Sequence, residues 1–169
     1  MFGLGKKSRQ IVGLDIGSNS IKAVELKSTK AGYELVSFGV EALAQDTVVD
    51  GAIMDAPQVA NAISKIFEAQ KIKTKNVATS VSGHSVIVKR VPLPLMSEEE
   101  LYDRIPAEAS QYIPFDIADV SLSYQLLETM DSQMDVLLVA VKKDKILNHT
   151  NVLAQAGKTA VVVDIDAFA

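Results

Sequence analysis

Apolar residues at Ile11, Val12, Leu14 and Ile16 make a short run with little polar interruption on either face, the mark of a buried strand. Ile21, Ala23, Val24 and Leu26 form a second run, and the Gly-Ser-Asn-Ser stretch between them predicts a hairpin turn. Residues 33–42 alternate, with Tyr33, Leu35, Ser37 and Gly39 on one side and Glu34, Val36, Phe38 and Val40 on the other, so a third strand follows the turn at Lys30-Ala31-Gly32. Residues 47–54 read as a loop turning at Asp50-Gly51. The period then changes. Val59, Ala60, Ile63, Ile66 and Phe67 fall on one stripe of a helix, opened by Asp55 as N-cap and Pro57 in its first turn, and fading near Gln70. Polar residues 71–76 lead into a strand over 77–81, which completes a β-β-β-α-β unit.

The second half starts another unit. A break at Ser82-Gly83-His84 precedes a strand over 86–91, closed by Pro92-Leu93-Pro94. Ser97 followed by Glu100 is a capping box, and the helix after it turns Leu101, Ile105, Ala109 and Tyr112 inward. Pro106 is expected to kink that helix or divide it, since it removes a backbone donor and crowds the preceding turn. Strands follow over 120–127 and 134–141, joined by a polar hairpin loop at 128–133. A helix over 142–155 is expected to pack through Ile146, Leu147, Leu153 and Ala154, with Gly157 at its C′ position, before a last strand over 160–165.

The composition fits this layered picture and removes several functions. Of 169 residues, 48% are hydrophobic and mean hydropathy is +0.18, enough to build a core. A net charge of −4 and a pI near 5.2 give no electrostatic footprint for nucleic acid. Without cysteine there is no thiol chemistry, thiolate-bound zinc or disulfide, which agrees with a reducing cytoplasm. No apolar run is long enough to span a bilayer. The head of the chain carries Lys6, Lys7 and Arg9 beside Phe2 and Leu4 but no apolar segment after them, so it is no signal peptide; it reads as a frayed terminus or a weak contact with an anionic membrane.

The first hairpin carries the chemistry. Asp15 ends a buried strand, where a carboxylate is costly unless a cation or donors meet it. Gly17 removes bulk at the turn, Ser18 and Asn19 bring N–H groups into one concavity, and Lys22 on the next strand can point back. The pattern alone allows an ordinary Asn/Gly hairpin with a capping Asp, or half of a phosphate site. In the latter Asp15 holds a hydrated Mg²⁺ and the turn and Lys22 hold the anion.

Asp15, Gly17, Ser18 and Lys22 stand in the register of the first phosphate loop of the actin and sugar-kinase superfamily, which the hairpin resembles. The strand–helix–strand–strand unit after the first β-β-β-α-β resembles the insert of the cell-division actin homologue FtsA. The local text is more similar to the PilM family of type IV pilus assembly. The segments that carry this are Gly13 to Ser18 with Lys22-Ala23-Val24, Arg90-Val91-Pro92-Leu93-Pro94, Glu99-Glu100-Leu101, Glu108-Ala109, Gln111 to Phe115, and Val163 to Ala169. Ala107 departs from the pattern, where an aromatic residue is expected. The resemblance implies an α/β fold: an actin-like, ribonuclease H-like core lobe over 1–82, an FtsA 1C-like subdomain over 83–158, and a return to the core lobe over 159–169, with the second lobe absent.

It further implies a cytoplasmic scaffold at the inner face of the inner membrane, one that binds the N-terminal cytoplasmic peptide of PilN in a groove between lobe and insert and reaches the pilus motor ATPases through it. ATP and Mg²⁺ are the implied cofactors of the whole protein, with Asp15, Gly17, Ser18, Asn19 and Lys22 at the phosphates and Asp15 on the metal through water; this chain alone is expected to bind them weakly or not at all. No residue presents itself as a water-activating base, so docking rather than catalysis is expected. Two other readings use the same fold, a sugar-kinase-like phosphotransferase with Asp164 or Asp166 as its acid group and an FtsA-like filament protein. An Asp at a strand end is also an ordinary helix cap. His84 at a turn and His149 on a polar helix face are expected to be solvated, a hinge contact being the other reading of His84; the acidic run Glu98 to Glu100 is explained by the capping box; and Tyr112 to Phe115 are expected to pack the end of the helix, with partner binding as their alternative role.

Overall fold

The computed structural model describes residues 10–168; the basic head, residues 1–9, and Ala169 lie outside them. The chain divides into two units, one made of Met1–Val81 with Asn148–Ala169 and the other of Ser82–Leu147. The first break comes after Val81; the second falls inside a helix, ahead of the boundary at 158 expected from the sequence.

The first unit opens with a meander of β1 (Val12–Ile16), β2 (Ser20–Thr29) and β3 (Gly32–Ala42). The segment read as a loop is instead a small ribbon, β4 (Val48–Val49) and β5 (Ala52–Ile53). Asp50 (φ 48°) and Gly51 (φ 72°) both take the left-handed conformation that such a tight hairpin turn demands. Then come α1 (Ala56–Ala69) and β6 (Asn76–Val81). The second unit contains β7 (Val86–Pro94), α2 (Glu98–Ala109), β8 (Val120–Thr129) and β9 (Gln133–Lys142). Helix α3 (Lys143–Gln155) passes from the second unit back to the first, where β10 (Thr159–Ile165) ends the sheet.

Five strands of the first unit lie in the order β10-β6-β1-β2-β3, with β6 and β10 parallel to β1 and the meander antiparallel. Asp55 caps α1 by accepting from the N–H of Gln58 at 3.0 Å. The α1 stripe, Val59, Ile63, Ile66 and Phe67, packs with Val12, Leu14, Ile21, Ala23 and Val77. Val152 and Leu153 of α3 join the same cluster. The inward line of α3 therefore differs from the expectation: Leu147 and Ala154 are exposed, while Lys145, His149, Val152 and Leu153 are buried. His149 is not solvated.

On the other face of the sheet the described residues leave apolar side chains exposed. Val24 pairs with Phe38 and Lys22 with Val40, and both Phe38 and Val40 are about half exposed. The strict alternation read along β3 fails at one place. Two residues, Val36 and Ser37, oppose Glu25, so Leu35 comes to pair with Leu26 on the same open face as Phe38. Gly39 on the helix side has a plain role: a Cβ there would meet Ile66 Cγ2 at 2.7 Å and Gln70 Cγ at 3.0 Å. Gly39→Ala is expected to destabilise the first unit by about 1–3 kcal/mol through overpacking, read as a shift of the urea midpoint at unchanged m-value.

The second unit is a separate sheet, β7-β9-β8, with its own core of Val91, Leu93, Leu101, Ile105, Val136 and Leu138 among others. It is not threaded into the first sheet. β7 runs through Pro92 and Pro94 instead of stopping there, because it is an edge strand whose outer side tolerates a residue with no N–H. Helix α2 remains one helix with Pro106 inside its last turn. The capping box forms as read: Glu100 N–H donates to Ser97 Oγ at 3.2 Å, and Ser97 N–H donates to the Glu100 carboxylate at 2.9 Å. The Ser97 N–H foremost, and then the Ser97 hydroxyl donating to the same carboxylate at 3.1 Å, hold the Glu100 carboxyl below its usual range. A lowered carboxyl stabilises the fold above its unfolded pKa and ceases to do so as pH falls through the folded one. The first turn of α2 is therefore expected to fray selectively in acid, visible as faster amide exchange there.

Candidate functional site

The hairpin places its two charged residues against each other. Asp15 and Lys22 are register partners on β1 and β2, and Lys22 Nζ donates to Asp15 Oδ2 at 2.8 Å. Both side chains are about half exposed, so the pair contributes little to stability, on the order of 0–1 kcal/mol. The turn between them is closed by Gly17 N–H donating to Ser20 C=O at 3.1 Å. That bond uses the Gly17 amide that sequence reasoning assigned to an anion. Asn19 C=O accepts from Leu43 N–H at 2.9 Å, which ties the turn to the end of β3. Ser18 and Asn19 are exposed, and their N–H groups have no backbone acceptor among the described residues.

Asp15 and Lys22 line a cavity of about 430 Å³ on the open face of the first sheet. Its floor is apolar, from Gly13, Val24, Phe38, Ala78 and Val162, and its rim is polar. Gly17, Ser18 and Asn19 are not among its walls. Ser80 and Asp164 are; the sequence reading offered Asp164, with Asp166, only as the acid group of a phosphotransferase, and did not name Ser80. The register brings them in. Leu14 is level with Thr79, so one step on Asp15 is level with Ser80, and Ser80 pairs with Asp164. A single row of Lys22, Asp15, Ser80 and Asp164 thus crosses β2, β1, β6 and β10 at the carboxyl ends of the three parallel strands, where open α/β sheets bind ligands. The signal for Asp164 in the sequence was its place near the end of the last strand; Ser80 had none. Asp166 falls beyond the strand in a single 3-10 turn, outside the cavity walls.

The donor set fits half of a magnesium–phosphate site: a carboxylate for a hydrated cation, an ammonium for an anion, and two exposed amides in the turn. Bound there, the ion would neutralise phosphate charge. No cluster of three or more His, Asp or Glu able to hold a bare metal ion exists among the described residues. His84 is exposed in the turn before β7, and the run Glu98 to Glu100 occupies the first turn of α2. Tyr112 and Phe115 pack against the core of the second unit, as expected.

Residues 13–169 match the family model for type IV pilus assembly protein PilM. Among solved structures, the chain is similar to one described as a PilM-PilN type IV pilus biogenesis complex, with 24% identity and a TM-score of 0.84 over 95% of this chain and 49% of that one. It is also similar to the cytoplasmic domain of EpsL, an inner-membrane component of the type II secretion system of Vibrio cholerae, with 16% identity and a TM-score of 0.58 over 93% of this chain and 57% of that one. The chain spans about half the length of these solved chains.

Proposed function

The chain belongs to the PilM family of type IV pilus assembly proteins, and on that premise we propose that it acts as a scaffold in pilus assembly, docking the short N-terminal cytoplasmic peptide of PilN. Through that peptide it is held at the cytoplasmic face of the inner membrane and coupled to the motor ATPases. The observation that carries the reading is the family match over residues 13–169. No helix among the described residues is long and apolar enough to cross a membrane. An extended peptide suits such a molecule because β7 and β8 are both sheet edges, and an added strand gains affinity from main-chain hydrogen bonds.

The hairpin belongs to a second task of the same scaffold, holding ATP with Mg²⁺. Asp15 takes the hydrated ion, Lys22 turns from Asp15 to the phosphates, and Ser18 and Asn19 give their free amides. Gly17 keeps the turn tight in place of donating to the anion. In this role the nucleotide is a structural ligand and turnover is not required.

Titration calorimetry with a synthetic PilN tail tests the docking role. Saturable one-to-one binding in the micromolar range is expected, and a tail of scrambled sequence should give no heat. Equal binding of both peptides, or of neither, would refute it.

A further inference from the structure

We propose that the second unit carries a docking site for a basic, extended segment of a partner protein, built from the free edge of β8 and an apolar pocket beside the start of α2, and separate from the site of the PilN tail.

The pocket, about 360 Å³, lies wholly within the second unit and is lined by Met96, Glu98, Leu101, Tyr124, Leu126 and Met134. Leu101 and Met134 are buried, while Leu126 is about half exposed. Two methionines suit a pocket that must adapt to a guest, because their unbranched, polarisable side chains change rotamer at little cost. More apolar surface borders it. Leu95 is about half exposed, and its N–H donates to Ser132 C=O at 3.3 Å, which sets it beside the β8–β9 turn. Tyr102 is largely exposed and, four residues after Glu98, shares its face of α2.

The charge around the pocket selects the guest. Residues 95–103 and 124–134 contain Glu98, Glu99, Glu100, Asp103, Glu128 and Asp131, and no Lys, Arg or His. Glu100 is engaged in the capping box and Glu128 lies 3.7 Å from Arg90. Glu98, Glu99, Asp103 and Asp131 are exposed and enter no salt bridge among the described residues. The helix dipole accounts for Glu98 and Glu99 in the first turn of α2, but not for Asp103 beyond that turn or for Asp131 on another element. An apolar pocket rimmed by unpaired carboxylates favours a cationic segment that carries one large apolar side chain. The same rim repels an anionic membrane, and it repels a second copy presenting the same face.

The sheet edges set the guest's conformation. On β7, Pro92 and Pro94 have no N–H to offer an added strand. β8 contains no proline, no described strand pairs with its outer side, and it lines the pocket through Tyr124 and Leu126. Its pairing with β9 slips between Leu126 and Glu128, so the regular edge ends at the pocket. A strand added along residues 120–126 alternates its side chains and can set one of them in the pocket while its cations meet the rim.

The probe is a fluorescein-labelled peptide, Lys-Arg-Val-Phe-Val-Lys-Arg, titrated by anisotropy into the protein at its full natural length. Binding in the range of tens of micromolar is expected, weakening about tenfold between about 50 mM and about 300 mM salt. Glu98→Gln combined with Asp131→Asn should weaken it about tenfold, and so should serine in place of the peptide's phenylalanine. Glu34→Gln combined with Asp46→Asn, exposed acids of the first unit, should leave it unchanged. Hydrogen exchange should slow over residues 120–126 and not over 86–94, and thermal melts should show all variants folded. No binding, equal losses in the two double variants, or protection on β7 in place of β8 would overturn the proposal. Displacement of the probe by the PilN tail would overturn the assignment of a separate site.

Discussion

Leu138→Ala is expected to destabilise the second unit by about 2–5 kcal/mol and to lower its melting midpoint by about 10 °C or more. Leu138 is 1% exposed on β9, the central strand, between the β7 and β8 neighbours Lys89 and Tyr124. Its side chain reaches into a cluster shared with Leu101, Ile105 and Val136. Truncation leaves a cavity that a three-stranded sheet and one helix can fill only by shifting both. Because the two units have separate cores, a single transition is not assured. The chain supplies its own probe. It has no tryptophan and four tyrosines, of which Tyr102, Tyr112 and Tyr124 lie in the second unit and only Tyr33 in the first. The tyrosine signal should therefore fall early in Leu138→Ala while far-ultraviolet ellipticity shows a later step at the wild-type temperature. A single shifted transition in both signals would mean that the units unfold as one.

The second large effect concerns ligand and not stability. In the protein at its full natural length, Lys22→Met should lower the affinity for ATP by about 10–100-fold, as expected for loss of one charged hydrogen bond to phosphate. Folding stability should change by less than about 1 kcal/mol, because the partner lost is an exposed carboxylate. Reading both quantities on one preparation separates the roles. A large drop in stability with unchanged ATP affinity would make the Asp15–Lys22 pair a brace of the hairpin and nothing more.

Most elements were legible because their periods are clean. The stripe from Val59 to Phe67 needed only helical spacing, and the Ser97–Glu100 capping box needed only two residues three apart. The failures each have a cause that local pattern does not contain. The prolines at 92 and 94 are compatible with a strand only at a sheet edge, and edge status is a property of topology. The slip at Val36 depends on the opposing strand. On α3, the buried line runs through Lys145 and His149, polar types that spacing alone assigns to the outside. At the site, Asp15 and Lys22 were visible as a short-range motif, seven residues apart. Ser80 and Asp164 join them only because parallel pairing brings distant strands level, and the amide of Gly17 was consumed by a turn whose hydrogen bond no motif specifies.

The exposed apolar side chains on one face of the five-stranded sheet bear on how the polypeptide behaves in the tube. Among the described residues, Leu26, Leu35, Phe38, Val40 and Val162 are exposed apolar side chains on this face, which ends at the edge strand β3 and whose charged residues Asp15, Lys22 and Asp164 lie along one row. Salting-out agents should precipitate it early, cold storage should be gentler than warm, and a surface charge introduced at Phe38 should raise the concentration it tolerates more than one placed anywhere on α2.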